Sequence, residues 1–194
     1  MDLATDFFTW LMPRIDDVWD DPDIQLDINE RILSIHDGLT WEVGPDISKP
    51  QFFAISPNTD PDLLPITVAL MRAAPNHPDW AFYAARPRKL WDQRLMEAKI
   101  GDDIIRVDFD RWKFSLGVVD GDEARQFTLT LYPDGDDDLP EAVVQGFAEM
   151  FVLFEIGEMA FIELITEVLV VQTCPPNAAH VNQLWDVLQD LRSE

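Results

Sequence analysis

The sequence predicts an α+β fold, an antiparallel-rich sheet built from two ββαβ units and packed with helices. Three observations lead to this prediction. Apolar residues alternate as in strands and then recur at helical spacing, and this order occurs twice along the 194 residues. A hydrophobic fraction of 47% can fill a sizeable core. The chain also has 12 Phe and 7 Trp, so its high charge does not indicate disorder.

The chain is interpreted as a single domain over residues 1–194, made of five consecutive segments. These are a helical lead-in (1–38), a first ββαβ unit (39–87), a basic connector (88–111), a second ββαβ unit (112–172) and a C-terminal helix (173–194).

The lead-in has apolar residues at helical spacing from Leu3 to Leu11, and Pro13 interrupts that run. Asp27 and Glu30 have the spacing of a capping box, which predicts that a second helix begins there. Gly38 is a plausible end for that helix.

The two ββαβ units are predicted from alternation, turn residues and one helical stripe in each. The first has strands at 39–43, 52–56 and 80–85 and a helix at 62–73. The second has strands at 112–119 and 126–132, which an Asp120-Gly121 turn joins, then a helix at 140–154 and a strand that ends with residues 167–171. A C-terminal helix is predicted beyond this unit, at 179–191. Predicted buried anchors are Trp41, Phe53, Ile55, Phe82, Phe114, Leu129, Phe147 and Phe151.

The two strand-to-helix crossings resemble each other in detail. Ile55–Pro65 and Leu131–Pro140 each have Pro soon after the strand, an Asp-rich turn and then Leu-Pro. We interpret this as an internal duplication with a period of about 75 residues. The alternative is convergence, because Pro and Asp are favoured at helix starts in any protein.

The balance of charge limits the classes of partner. The chain has 37 acidic and 14 basic residues, for a formal net charge of −23. Nucleic-acid backbones and anionic membranes would repel such a surface, so direct binding to either is not expected. An acidic surface suits a basic partner.

The basic residues are concentrated in one part of the chain, since 8 of the 14 lie in residues 86–113. The stretch with Arg86, Arg88, Lys89 and Arg94 surrounds Trp91. One interpretation is contact with an anionic ligand. The other is internal neutralisation, with these cations paired to the acids of residues 1–30 or 134–141.

Two Asp-rich turns, 60–62 and 134–138, are predicted to lie exposed at equivalent ends of the two units. The 134–138 run departs from the calcium-loop pattern, so a solvated turn next to a helix start is favoured over a calcium site. The residues predicted to contact a protein partner are Asp60, Asp62, Asp134, Asp136, Asp137 and Asp138.

Four carboxylates, Glu155, Glu158, Glu163 and Glu167, lie close together in the sequence. Paired carboxylates in a cleft support acid–base chemistry. A solvated sheet face, with Glu163 and Glu167 on the same side of one strand, is the favoured interpretation.

No catalytic, cofactor-binding or metal-binding residue is assigned. His36, His77 and His180 lack metal spacing, and Cys174 is the only cysteine. Phosphate loops, dinucleotide fingerprints and nucleophile elbows are absent from the sequence. The first residues lack the features of a signal peptide, so a cytoplasmic protein is expected.

Several short motifs suggest a resemblance: Trp41-Glu-Val-Gly-Pro45, Ile55-Ser-Pro57, Ala74-Pro75 and Trp80-Ala-Phe-Tyr-Ala-Ala-Arg-Pro87. Over residues 38–92 the chain resembles a set of uncharacterised bacterial proteins in which these motifs recur. That resemblance implies a two-layer α+β fold and no activity. In size and acidity the chain is also similar to immunity proteins of bacterial toxin systems.

Three roles remain open from the sequence. The first is a non-enzymatic protein-binding module, of the inhibitor or immunity type, that masks a basic partner. The alternative is an enzyme or small-anion-binding protein that uses a groove between the two units, with Arg86, Arg88, Lys89 and Arg94 facing the ligand. A third possibility is a purely structural subunit, such as one half of a homodimer.

Overall fold

The structure, a computed structural model, describes residues 3–119, 125–134 and 139–193. Its fold is α+β, as the sequence predicts, and its chain forms two compact units, Met1–Pro87 and Arg88–Glu194. The division falls where the sequence places the end of the first ββαβ unit. The strands form three separate sheets, whereas the sequence predicted one sheet shared by both units.

The first unit begins with helices. Helix α1 (Leu3–Leu11) gives way to a 3-10 helix (Met12–Asp17) that contains Pro13, and α2 (Pro22–Ile35) follows. Helix α2 starts at Asp21, whose carboxylate accepts hydrogen bonds from the backbone amides of Asp23 and Ile24. The predicted start at Asp27 is therefore wrong, because Asp21 caps the helix and Pro22 occupies its first turn.

The sheet of the first unit has the strand order β1-β2-β3. Strands β1 (Thr40–Pro45) and β2 (Gln51–Ser56) are antiparallel, with Trp41 opposite Ile55. Helix α3 (Leu64–Met71) then carries the chain to β3 (Trp80–Tyr83), which pairs with β2 in parallel. The unit therefore has the predicted ββαβ order.

The second unit opens with a hairpin that was not predicted from the sequence. Strands β4 (Leu95–Ile100) and β5 (Asp103–Asp108) form a two-stranded antiparallel sheet, and a 3-10 helix (Phe109–Arg111) follows. The hairpin turns at Gly101, which has a φ of +64°. The segment 88–111, expected to be a basic connector, thus includes regular structure.

The remaining strands of the second unit form a four-stranded sheet of order β8-β7-β6-β9. The strands are β6 (Lys113–Val119), β7 (Gln126–Tyr132), β8 (Ile165–Val170) and β9 (Ala179–His180). Strand β7 is antiparallel to β6 and parallel to β8. The predicted turn at Asp120-Gly121 lies outside the described residues.

Two helices, α4 (Glu141–Ile156) and α5 (Glu158–Leu164), connect β7 to β8, where the sequence predicted one. Gly157 separates them with φ +82° and ψ 152°, a conformation that only glycine adopts readily. The last helix, α6 (Leu184–Ser193), begins five residues later than predicted because β9 and a 3-10 helix (Val181–Gln183) precede it.

Both units share one local topology: an antiparallel strand pair, a helical crossover and a parallel third strand. The internal duplication itself stays a prediction. Each unit has its own core. Of the predicted anchors, Trp41 and Phe82 are only partly buried at the edge of the first core. The other six are buried: Phe53, Ile55, Phe114, Leu129, Phe147 and Phe151.

A loop between β1 and β2 is organised by Asp46. Its carboxylate accepts hydrogen bonds from the amide and hydroxyl of Ser48, from the amide of Lys49 and from the hydroxyl of Tyr83. Burial alone would raise the pKa of Asp46, but these hydrogen bonds outweigh it and hold the pKa below its ordinary value.

Candidate functional site

A group of charged side chains in the second unit surrounds a buried carboxylate. Glu155, on α4, has a side chain that is 0% exposed. It accepts hydrogen bonds from Nε and Nη2 of Arg94 at 3.1 and 3.0 Å. Nη2 of Arg88 lies 4.0 Å from the same carboxylate. One buried negative charge therefore faces two guanidinium groups, an arrangement that compensates the cost of burying it.

Arg94 is held in place by a second carboxylate and by the backbone. Its Nη1 lies 3.5 Å from Oδ1 of Asp110, and its backbone carbonyl accepts from the amide of Phe109 at 2.8 Å. Burial alone would lower the pKa of Arg94, but Glu155 and then Asp110 outweigh burial and raise it above its ordinary value. This guanidinium is a fixed positive charge.

Arg88 and Lys89 lie against aromatic rings. The guanidinium of Arg88 is 4.6 Å from the ring centroid of Trp185. The ammonium of Lys89 is 4.7 Å from the centroid of Trp91 and 5.3 Å from that of Phe154. These are cation–π distances, so both residues already have favourable contacts inside their own unit.

A depression of about 490 Å³ lies beside this group. It is lined by Lys89, Leu90, Trp91, Asp92, Gln93 and Leu95. Two buried donors nearby, Nε of Arg88 and Nε1 of Trp91, lack an acceptor. Both atoms are closed to solvent, so a ligand's acceptor would reach them only if side chains moved.

Arg86 belongs to the first unit and is paired there. Its Nε lies 3.2 Å from Glu42, and its Nη2 donates to the hydroxyl of Thr40 at 3.1 Å. The arginines predicted to bind an anion thus have carboxylate partners within their own units. Those partners are Glu42, Glu155 and Asp110. These three partners lie outside residues 1–30 and 134–141, where the sequence had placed the partners of the basic stretch.

The four clustered glutamates do not share a solvated sheet face. Glu155 and Glu158 are buried at either side of Gly157. Glu163 lies on α5 instead of a strand, and it pairs with Arg192 at 2.8 Å. Glu167 lies on β8 and is exposed. The prediction failed because a second short helix, invisible as a separate period in the sequence, follows Gly157.

The carboxylates predicted to contact a partner are exposed where the structure describes them. These are Asp60, Asp62 and Asp134. Oδ1 of Asp60 accepts from the amide of Asp62 at 2.9 Å, which closes the turn before α3. Asp136, Asp137 and Asp138 lie outside the described residues.

A second surface feature, in the first unit, was not predicted. An apolar groove of about 400 Å³ lies between α1 and α3. It is lined by Leu3, Ala4, Ile35, Pro65, Ile66, Ala69 and Leu70. Leu3 is 67% exposed although four other residues of α1 are buried. No signal of it is visible in the sequence, because Leu3 has the same helical spacing to Phe7 and Leu11 as a buried residue would.

The histidines and the cysteine do not form a group. Nδ1 of His36 and Nδ1 of His77 each accept a backbone amide two residues further on, and Cys174 is exposed. Within residues 3–119, 125–134 and 139–193, no three His, Cys, Asp or Glu side chains are placed to share a metal ion.

Comparisons with known proteins found no match: no protein-family model, no curated protein and no solved structure matches this chain. Among the helices of the described residues, none combines the length and the apolar character needed to cross a bilayer. Function is therefore inferred from the geometry and charge of the chain itself.

Proposed function

We propose that this protein is a non-enzymatic acidic binding module, of the inhibitor or immunity type, that masks a basic partner protein in the cytoplasm. One contrast carries the proposal: Arg86, Arg88 and Arg94 pair with carboxylates of their own units, while three exposed carboxylates of α2 stay unpaired. Asp23, Asp27 and Glu30 on α2 are exposed, and within the described part of the chain their carboxylates have neither an ion pair nor a hydrogen bond.

The surplus of negative charge is local as well as global. Residues 1–40 hold ten acidic residues and two basic ones, Arg14 and Arg31. Both of these guanidinium groups lie over the ring of Trp10, at 5.2 and 4.2 Å from its centroid. The acids of α2 are therefore left to face solvent. A field of one sign on a surface steers an oppositely charged partner and raises its association rate.

The alternative, an enzyme or a small-anion-binding protein, has weaker support. It needs Arg86, Arg88, Lys89 and Arg94 to be available to a ligand. The three arginines have carboxylate partners, and Lys89 lies over two rings. An anion would have to displace those carboxylates, which are covalently held nearby at high effective concentration.

The proposal is tested in two steps with the full chain. First, the immobilised protein is exposed to host lysate at low salt, and proteins released by a salt step are identified by mass spectrometry. Second, the association rate of the released protein is measured by stopped flow over a range of ionic strength. We expect one stoichiometric basic protein whose association slows steeply as salt rises.

A matched pair of variants tests the role of charge. Replacing three carboxylates on α2 (Asp23→Asn, Asp27→Asn and Glu30→Gln) should slow association several-fold, whereas Asn29→Ser, at another exposed position of the same helix, should not. An association rate that does not respond to salt or to the triple variant would contradict the proposal. Sedimentation at two protein concentrations shows whether the free protein is a homodimer.

A further inference from the structure

The described residues of the first unit leave its apolar groove open. Four of its lining residues, Pro65, Ile66, Ala69 and Leu70, come from one face of α3, and Leu3 and Ala4 come from α1. We propose that this groove is the docking site for an apolar side chain on a basic segment of the partner protein. The inference rests on the proposed function and names the surface that carries it out.

The lining shows what kind of group enters. Every described residue that lines the groove is apolar, so a polar group inserted against them would lose its hydrogen bonds to water without replacement. The volume of about 400 Å³ lies within the range of pockets that bind ligands. Leu3, 67% exposed at the rim, gains by being covered. The inserted group is therefore aliphatic or aromatic.

The rim shows what surrounds that group. Asp6 lies one helical turn after Leu3 on α1, Asp62 lies two residues before α3, and Asp37 lies two residues after α2. The carboxylates of Asp6 and Asp62 lack a cationic partner in the described part of the chain. Arg72 follows α3 directly as the nearest cation along that helix. Among the described charged residues that flank the lining segments in the sequence, three acids (Asp6, Asp37 and Asp62) outnumber two bases (Arg31 and Arg72), so the complement of this surface has lysine or arginine beside the apolar anchor.

These properties identify one occupant, a protein segment with apolar residues on one face and cations beside them. An amphipathic helix placed in a groove is a recurrent mode of this kind. The sequence also predicts Asp60 and Asp62 as partner contacts. The groove adds the apolar half of the same surface, because Asp62 is three residues from Pro65.

The test uses the full-length protein and a fluorescein-labelled synthetic helical peptide, with leucines on one face and lysines on the rest. Matched peptides replace the leucines by serine or the lysines by glutamate. Fluorescence anisotropy gives the Kd, and amide chemical-shift changes in an NMR spectrum locate the contact. We expect the leucine–lysine peptide alone to bind, with amide shifts at residues 3–4 and 66–70.

Two variants of the protein place the contact in the groove. Ala69 is exposed on α3, so Ala69→Trp fills the groove without entering the core, and we expect the Kd to rise at least about tenfold. Leu3→Ser should raise it several-fold. The control is Ala142→Trp, at an exposed position of α4 in the other unit, which should leave the Kd within about twofold.

The possible outcomes distinguish a failure of the groove assignment from a failure of the proposed masking function. The groove assignment is overturned if the leucine–lysine peptide fails to bind, or if Ala69→Trp binds it like the wild type. If a basic protein is still captured in a salt-dependent way and its Kd ignores Ala69→Trp, the masking function stands and the groove is not its site. If association with every basic partner is indifferent to salt, the masking function itself fails.

Discussion

Glu155→Gln tests whether the buried carboxylate stabilises the second unit. The glutamine side chain would keep nearly the same size and one acceptor oxygen, but the negative charge that faces Arg94 and Arg88 would be lost. The side chains of Arg94 and Arg88 are 19% and 29% exposed, so their charges would be left poorly solvated. We therefore expect the variant to fold with reduced free energy of unfolding.

The magnitude follows from the geometry. Removing one partner of a buried ion pair costs about 3–5 kcal/mol. Arg94 keeps Asp110 at 3.5 Å and some contact with water, which places this site at the lower end, about 3 kcal/mol. With a urea m-value of about 1–3 kcal/mol/M, the midpoint of unfolding falls by about 1–3 M.

The matched control is Glu163→Gln, which breaks the ion pair with Arg192. That pair is 2.8 Å long but its side chains are 37% and 51% exposed, so its loss costs about 0.2–1 kcal/mol. Both variants are unfolded in urea and followed by far-ultraviolet circular dichroism, at low and high salt. Salt should reduce the effect of Glu163→Gln and leave that of Glu155→Gln largely unchanged. Equal costs for the two variants would refute the reasoning.

Three further predictions concern the backbone and pH, and urea unfolding measures each. Asp21→Ala removes the cap of α2 and should cost about 1 kcal/mol, whereas Asp27→Ala, in the middle of that helix, should be close to neutral. Gly157→Ala puts a side chain on a residue with a φ of +82° and should cost about 1–3 kcal/mol of stability. In contrast, an added Cβ at Gly146, inside α4, meets nothing within 4 Å, so Gly146→Ala should stabilise the protein by about 0.5–1 kcal/mol. Hydrogen bonds hold the pKa of Asp46 below its ordinary value in the folded protein. The contribution of the Asp46 carboxylate to the free energy of unfolding is therefore complete above the pKa of the unfolded chain and is lost as pH falls through the folded pKa. Between about pH 5 and pH 3, Asp46→Asn should therefore lose less stability than the wild type, and an equal loss would contradict this assignment.

The elements with strong local patterns were predicted closely. Strand β7 occupies the predicted residues 126–132, and β2 and β6 differ from their predictions by one residue at one end. Alternation and helical spacing arise within a few consecutive residues, so they are visible without knowledge of the fold. The ββαβ order of both units followed from them.

Elements with mixed patterns were missed. The β4–β5 hairpin alternates apolar with charged residues, and Gly101 lies at its turn. This segment was interpreted from its positive charge, as a basic connector, and its strands were not predicted. Helix α5 follows α4 after one residue, so the two read as one long apolar stretch. The break between them depends on the backbone at Gly157, which spacing alone does not reveal.

The pairing of charges was beyond local inspection. The sequence predicted that the arginines are neutralised or face an anion, and it assigned the acids of residues 1–30 or 134–141 as partners. Glu155 is instead the partner of Arg94, 61 positions away. Nothing in either local sequence distinguishes it from the exposed acids, because its burial results from α4 packing on the sheet.

The amino-acid sequence by itself determined the α+β class, the order of most strands and helices, and the large surplus of negative charge. These depend on residue type and short-range spacing, which the chain carries in any conformation. Only the tertiary structure decided that Glu155 and Glu158 are buried while Asp23, Asp27 and Asp62 remain exposed. It also formed the apolar groove from residues of three helices. The reason is that burial, ion pairing and surface shape depend on contacts between residues far apart in sequence, and those contacts exist only once the elements have packed.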